Sequence, residues 1–161
     1  MKTIFTVGTS NRSVEEFFNL LVQHRIRYLV DVRRFPTSRR LSHFVGRTLA
    51  ALAEEKGLEY FPLGDLLGGY RPGGYRQHLT SAEFREGLTR LEQLASQTRA
   101  TIFCAERFPW RCHRRFIAAA LEEHGWQVIH IIDPGRTWLP REKEVRDEKS
   151  AGGQAELDLS G

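Results

Sequence analysis

The chain has 161 residues, enough to bury the core of one ordinary domain and too few for two. Hydrophobic residues make up 40%, charged residues 27%, and Gly and Pro together number 20, which excludes a collagen-like, wholly disordered or membrane-embedded chain. Net charge is only +4, but 20 of the 24 basic residues are Arg, and His24 to Arg47 holds seven Arg against the single acid Asp31.

Thr3 to Val7 is a β-rich apolar run ending at Gly8, and Ser13 with Glu16 then forms a capping-box pattern. Val14, Phe17, Phe18 and Leu21 follow at the spacing of one helical face. Tyr28 to Val32 predicts a second buried strand, and Arg33 to Arg47 a long basic loop punctuated by Pro36. Leu49, Leu52 and Ala53 mark a second helix that stops at Gly57. Leu58 to Phe61 makes a third strand. Gly64 to Gly74 has five Gly and one Pro, too broken a pattern for regular structure and long enough for a functional loop. Thr80 and Glu83 repeat the capping-box pattern before the stripe Phe84, Leu88, Leu91 and Leu94. Ala100 to Ala105 is a fourth strand, Cys112 to His124 a fourth helix closed by Gly125, and Gln127 to Ile132 a fifth strand.

Strands that alternate with helices predict a parallel sheet covered on both faces, because parallel neighbours need crossovers and the crossovers supply the helices. The expected fold is α/β: a single three-layer domain over residues 1–141, with a mostly parallel sheet of about five strands. Residues 142–161 carry six acids against Lys143, Arg146 and Lys149 and read as a polar, solvated tail. The longest apolar stretch, Phe116 to Leu121, is far below the roughly 20 residues that cross a bilayer. Gly8, Ser10, Asn11 and Arg12 interrupt the N-terminal run before an export signal develops. A cytoplasmic location without membrane contact is therefore expected, with Cys104 and Cys112 held as thiols.

Ligands of open parallel sheets bind beyond the carboxyl ends of the strands. Polar residues interrupt the pattern at those ends: Ser10 and Asn11, then Asp31 and Arg33, Gly68 and Gly69, Cys104 and Glu106, and Asp133. One edge of the sheet is expected to collect them.

Together, Val7-Gly8-Thr9-Ser10-Asn11, Val30-Asp31-Val32-Arg33 with Pro36, Ser38 and Arg39, Leu67-Gly68-Gly69, and Cys104-Ala105-Glu106 followed by Cys112-His113-Arg114 resemble the bacterial and archaeal family filed as domain of unknown function 488. The resemblance spans roughly Thr3 to Ile132. It implies an α/β fold and directs attention to these motifs, while the family's title leaves the activity open. Thr9 stands where the family's first motif carries His.

The chemistry has to come from the residues. Gly8 to Asn11 is a strand-to-helix turn whose backbone N–H groups suit an anion, although Ser and Asn are also ordinary capping residues. Asp31, a carboxylate ending an apolar strand, must reach water or be paired, and either it ion-pairs with Arg33 or it acts as a base while Arg33 and Arg39 hold phosphate. The gap of seven residues between the cysteines is not a zinc-knuckle spacing, so no metal is expected. Cys104 reads as a small buried hydrophobe. Cys112, among Arg111, Arg114 and Arg115 at a helix start, is either a thiol of lowered pKa or, with His113 and Arg114, part of an anion site.

Phe35, Phe44, Tyr70, Tyr75, Phe108 and Trp110 fall in loops, either as lids on the core or as platforms for bases. Neither a Walker loop nor a dinucleotide fingerprint is present, and no cofactor is expected. The leading expectation is a domain that binds a nucleic acid or a phosphate-bearing small molecule through Ser10, Asn11, Arg33, Arg39, Gly68, Gly69, Tyr70, Trp110, Cys112, His113 and Arg114. Asp31 or Glu106 would then serve as the catalytic carboxylate that hydrolyses a base-to-sugar bond. The alternatives are a non-catalytic nucleic-acid or anion-binding module, and a thiol-based or metal-dependent enzyme using Cys112. Nothing in the sequence fixes the oligomeric state.

Overall fold

Period-two and period-3.6 apolar patterns alternate along the chain, and the computed structural model, which describes residues 2–36 and 44–139, turns them into strands and helices in the same order. Strands β1 (Thr3–Gly8), β2 (Tyr28–Asp31), β3 (Glu59–Pro62), β4 (Ala100–Cys104) and β5 (Gln127–Asp133) pair in parallel, and β6 (Arg136–Trp138) closes one edge antiparallel to β5. The strand order is β3-β2-β4-β1-β5-β6.

The helices are α1 (Val14–Gln23), α2 (Gly46–Glu55), the single turns α3 (Gly64–Leu67) and α4 (Tyr75–His78), then α5 (Ala82–Gln97) and α6 (Arg114–Glu123). The crossovers β1 to β2 and β2 to β3 travel toward one edge of the sheet, whereas β3 to β4 and β4 to β5 travel back. Right-handed crossovers with opposite travel place their helices on opposite faces. Phe17, Leu20 and Leu21 of α1 and Leu49 and Ala53 of α2 accordingly pack on Phe5, Val7, Leu29 and Phe103. Leu88 and Leu91 of α5 and Ile117 and Leu121 of α6 pack on Ile4, Val30, Ile102 and Val128. This gives the three layers. Travel reverses between the adjacent strands β1 and β4, which opens a crevice beyond their carboxyl ends.

Local chemistry explains where the elements begin and end. Ser13 Oγ accepts the Glu16 N–H (3.0 Å) while Glu16 accepts the Ser13 N–H (2.7 Å), the full reciprocal cap predicted for α1. Gly57 and Gly125, at φ +82° and +91°, follow α2 and α6 in the left-handed conformation that ends helices.

Three expectations change. The cap of α5 is Ser81, whose Oγ accepts the Phe84 N–H (3.0 Å), because Thr80 Oγ1 instead donates to the Gln77 carbonyl that ends α4. The Gly-rich stretch contains α3, since burial of Leu63 and Leu67 against Phe84 and Leu88 outweighs the low helix propensity of its glycines. A sixth strand follows the turn at Pro134 and Gly135 (φ +75°). Its three residues are too few to show a period in the sequence. Among the described residues no helix is long and apolar enough to cross a membrane.

Candidate active site at the β1–β4 crevice

The backbone beyond β1 and β4 continues to pair after the strands end. Thr9 N–H donates to the Cys104 carbonyl (2.9 Å) and Ser10 N–H to the Ala105 carbonyl (2.8 Å). A Cβ on Gly8 would stand 1.9 Å from the Glu106 carbonyl oxygen, so only glycine permits this approach. The Thr9 and Ser10 N–H groups are thus spent on the neighbouring loop rather than presented to an anion.

A cleft of about 700 Å³ opens above this floor. Thr9, Ser10, Cys104 and Glu106 line it from the β1 and β4 side, Arg33, Arg34 and Phe35 from the loop after β2, and Gly69 and Tyr70 from the loop after α3. Cys112, His113 and Arg115 close it at the start of α6, with Arg111 just before them.

Asp31, expected as a catalytic carboxylate, is 1% exposed and lies beneath the wall. One oxygen accepts the Arg33 N–H (3.0 Å) and Nε (2.8 Å), the other accepts Arg33 Nη2 (2.8 Å) and the Tyr60 hydroxyl (2.5 Å). Arg33 also donates to the Phe44 carbonyl (2.8 Å) and stacks over the Phe103 ring. Burial and the Asp31 charge together raise the Tyr60 pKa. With four donors on two oxygens, Asp31 has no lone pair directed at the cleft, and the ion pair is its role. Arg33 spends its guanidinium in the same pair and presents only an edge to the cleft. Glu106 does face the cleft, where its Oε2 accepts the Phe108 N–H (3.2 Å).

Arg114, expected to bind an anion, is 0% exposed and turns inward. Its guanidinium donates to the carbonyls of Glu106 (2.6 Å) and Arg107 (3.1 Å), to Thr6 Oγ1 (3.0 Å) and, through Nε, to Cys112 Sγ (3.4 Å). Thr6 Oγ1 also meets His130 Nδ1 at 2.6 Å. Burial and then Arg114 hold that imidazole neutral, with a pKa pushed down to about 3. Among the described residues no carboxylate forms an ion pair with Arg114. A buried cation needs a compensating anion.

The acceptor that meets the Arg114 Nε is the Cys112 sulfur. Cys112 Sγ lies 3.2 Å from Cys104 Sγ, within hydrogen-bond reach, and receives hydrogen bonds from the Arg114 backbone N–H (3.4 Å) and side chain. The Cys104 bond, with the Arg114 charge, overcomes burial and lowers the Cys112 pKa to about 5. Cys104 moves the opposite way, because burial and its bond to Cys112 hold its proton in place. The two shifts run in the directions of a Cys112 thiolate beside a Cys104 thiol.

His113 Nε2 meets the Val32 carbonyl at 2.8 Å, and since a carbonyl only accepts, Nε2 carries the proton. Burial lowers the His113 pKa, leaving Nδ1 a bare acceptor against Gly69. Tyr75 stacks on Phe116 (5.5 Å between centroids) behind it and donates to the Leu67 carbonyl. At the rim, Phe35 (61% exposed) and Tyr70 (84% exposed, φ +59°) face each other 6.1 Å apart, with Arg34 over Phe35.

The remaining candidates are elsewhere. Asn11 and Asp133 line a second cleft of about 560 Å³ on the far side of the β1 loop, where Arg12 and Arg107 both pair with Asp133. Gly68 packs on the Arg34 backbone, 2.5 Å from where a Cβ would stand, and so joins two loops. Trp110 stacks on Phe108 and meets Trp138 edge-on, outside the cleft. Phe44 is core. Arg39 lies outside the described residues, as does the predicted tail.

Sequence reasoning missed Thr6, Tyr60 and His130. The signal for two of them was present: Thr6 and His130 interrupt apolar strands, and they are partners in the β1–β5 register.

No curated protein and no solved structure matches the chain. A family model does, over residues 13–121, a span that contains Asp31, Arg33, Glu106 and the entire Cys104 to Arg114 segment. The chain therefore belongs to the family described as Domain of unknown function DUF488.

Proposed function

We propose that the chain is a thiol enzyme in which the Cys112 thiolate attacks a phosphate-bearing, ring-containing substrate of nucleotide type held at the β1–β4 crevice. One observation carries this reading: the buried Arg114 side chain and backbone N–H both point at Cys112 Sγ, each at 3.4 Å, and among the described residues no carboxylate pairs with that guanidinium. A thiolate is the nucleophilic form of cysteine, and this one stands on the wall of a cleft.

The cleft chemistry supports the substrate class. Among the described residues Arg34, Arg111 and Arg115 line it against the single acid Glu106, which favours anions, and the exposed Phe35 and Tyr70 rings at the rim offer faces on which a planar group can stack. In the reaction Cys112 Sγ bonds to the electrophilic atom and the leaving group departs with its electron pair. Glu106 is the carboxyl group in the cleft lining that would transfer a proton, and His113 is a second proton acceptor in the same lining.

A second reading keeps the same pocket and moves the chemistry to Glu106, whose carboxylate would orient water toward a base-to-sugar bond. The presence of Glu106 in the cleft with the two rim rings favours it; Asp31 has no part in it.

Iodoacetamide alkylation of the native protein, read by mass spectrometry from pH 4 to 9, separates a thiolate from an ordinary thiol. The expected midpoint for Cys112 is near pH 5, and a midpoint at about 8.5, the value of a free cysteine, refutes the reading. Turnover found in a screen of nucleotides, nucleosides and alkylated DNA should vanish in Cys112→Ser. Loss in Glu106→Gln with full activity in Cys112→Ser would instead establish the carboxylate route.

A further inference from the structure

The proposed nucleophile does not need a second cysteine, yet one is built against it. Cys104 ends β4 and Cys112 precedes α6, and the fold brings their sulfurs to 3.2 Å across the floor of the cleft. Cys104 is 3% exposed overall, but it lines the cleft beside Cys112. No other cysteine exists in the chain.

We propose that Cys104 and Cys112 form a peroxide-reactive dithiol, with Cys112 the attacking and Cys104 the resolving sulfur, which closes to an intramolecular disulfide and reopens with thiol reductants. The proposal rests on the thiolate reading of Cys112. The Cys112 thiolate attacks the terminal oxygen of a hydroperoxide: an S–O bond forms, the O–O bond breaks, and the departing alkoxide takes a proton from solvent. Cys112 is then a sulfenic acid. The Cys104 thiol attacks Cys112 Sγ, the S–S bond forms, the S–O bond breaks, and hydroxide leaves with the Cys104 proton as water. Two thiols lose two electrons and the peroxide gains them, yielding one alcohol and one water.

The geometry favours this order. Cys112 is the sulfur more accessible from the cleft and faces Arg114, whereas Cys104 keeps its proton in the buried position. Any peroxide that reaches Cys112 therefore generates a sulfenic acid already in contact with a thiol, before a second peroxide arrives. Closing the bond removes the sulfur anion and leaves Arg114 uncompensated, a cost that favours the reduced pair, so ordinary thiols should reopen it.

Equimolar hydrogen peroxide added to the full chain, followed by thiol titration and intact mass, tests this. In the wild type the two titratable thiols should disappear together, the mass should fall by two hydrogens, and dithiothreitol should restore both. In Cys104→Ser, where a hydroxyl still donates to Cys112, the same treatment should leave a sulfenic acid that dimedone traps. Wild-type protein that accumulates a dimedone adduct or a sulfinic acid while Cys104 remains titratable overturns the proposal, as does a disulfide linking two chains. If untreated Cys112 alkylates only near pH 8.5, the thiolate reading has failed along with this one. Alkylation near pH 5 without disulfide formation overturns the dithiol alone.

Discussion

Two arginines at the cleft each sit two residues after an acceptor they bond, Arg33 after Asp31 on the α1–α2 side and Arg114 after Cys112 on the α5–α6 side. Both arginines are buried, Arg33 8% and Arg114 0% exposed, as is Asp31, whereas Cys112 is only partly covered. Asp31 turns away from the cleft and fills both oxygens with short donors. Cys112 has a large, weakly accepting sulfur whose contacts are 3.2 to 3.4 Å long, and it keeps an open side on the cleft. The same spacing thus makes a structural clamp in one place and a poised nucleophile in the other. What decides is the acceptor capacity left over after the arginine is satisfied.

The strongest way to break this comparison is to remove each arginine. Arg33→Met and Arg114→Met both strand a buried anion and should each cost about 3–5 kcal/mol in urea unfolding. They should differ in the thiol: Arg33→Met leaves the Cys112 alkylation midpoint near pH 5, and Arg114→Met raises it. An unchanged midpoint in Arg114→Met would mean that the cation does not hold the thiolate.

A smaller effect should appear in the pH dependence of stability. The Cys112 pKa is lowered to about 5 in the folded chain against about 8.5 for a free cysteine, so between these values the unfolded chain binds the extra proton and stability rises with pH. Above pH 9 the sign reverses, because Cys104, whose pKa burial raises, keeps in the folded chain a proton that the unfolded chain releases. The difference in unfolding free energy between wild type and Cys112→Ser should therefore grow from pH 5 to 9. A flat difference over that window contradicts the assignment.

The smallest effect on stability is expected at the rim. Tyr70 adopts φ +59° while 84% exposed, so Tyr70→Gly relieves a left-handed backbone and should stay within about 1 kcal/mol of wild type. The same change removes one ring of the Phe35–Tyr70 pair and should weaken nucleotide binding by about 1–3 kcal/mol, measured by calorimetry. Unchanged affinity would place the planar part of the substrate elsewhere.

Much of this was legible in the residues. The apolar periods announced β1 to β5, α1, α2, α5 and α6, and the rule of strand ends brought Ser10, Glu106, Cys112 and His113 to one cleft. The orientation of charged side chains was not legible. Asp31 and Arg114 occur in the right motifs, but only the tertiary packing shows that the Asp31 carboxylate lies under a wall, filled by Arg33 and Tyr60, and that the Arg114 guanidinium turns inward to Thr6. Asn11 and Asp133 follow strands like the other candidates, yet the β1 loop stands between them and the cleft, a separation no linear spacing encodes. Thr80 and Ser81 show the same limit on a small scale. Both are good caps, and the end of α4 claims the first.

Arg114 also carries a consequence for anyone who redesigns the domain. It ties the Glu106 and Arg107 carbonyls, the β1 hydroxyl of Thr6 and the start of α6 into one knot, and its charge is balanced by a single sulfur. Positions 112 and 114 therefore form one unit of design. An inert scaffold made by erasing the cysteine alone inherits an unbalanced cation at its centre, whereas exchanging both residues for apolar ones of matched volume removes the charge and its partner in a single step.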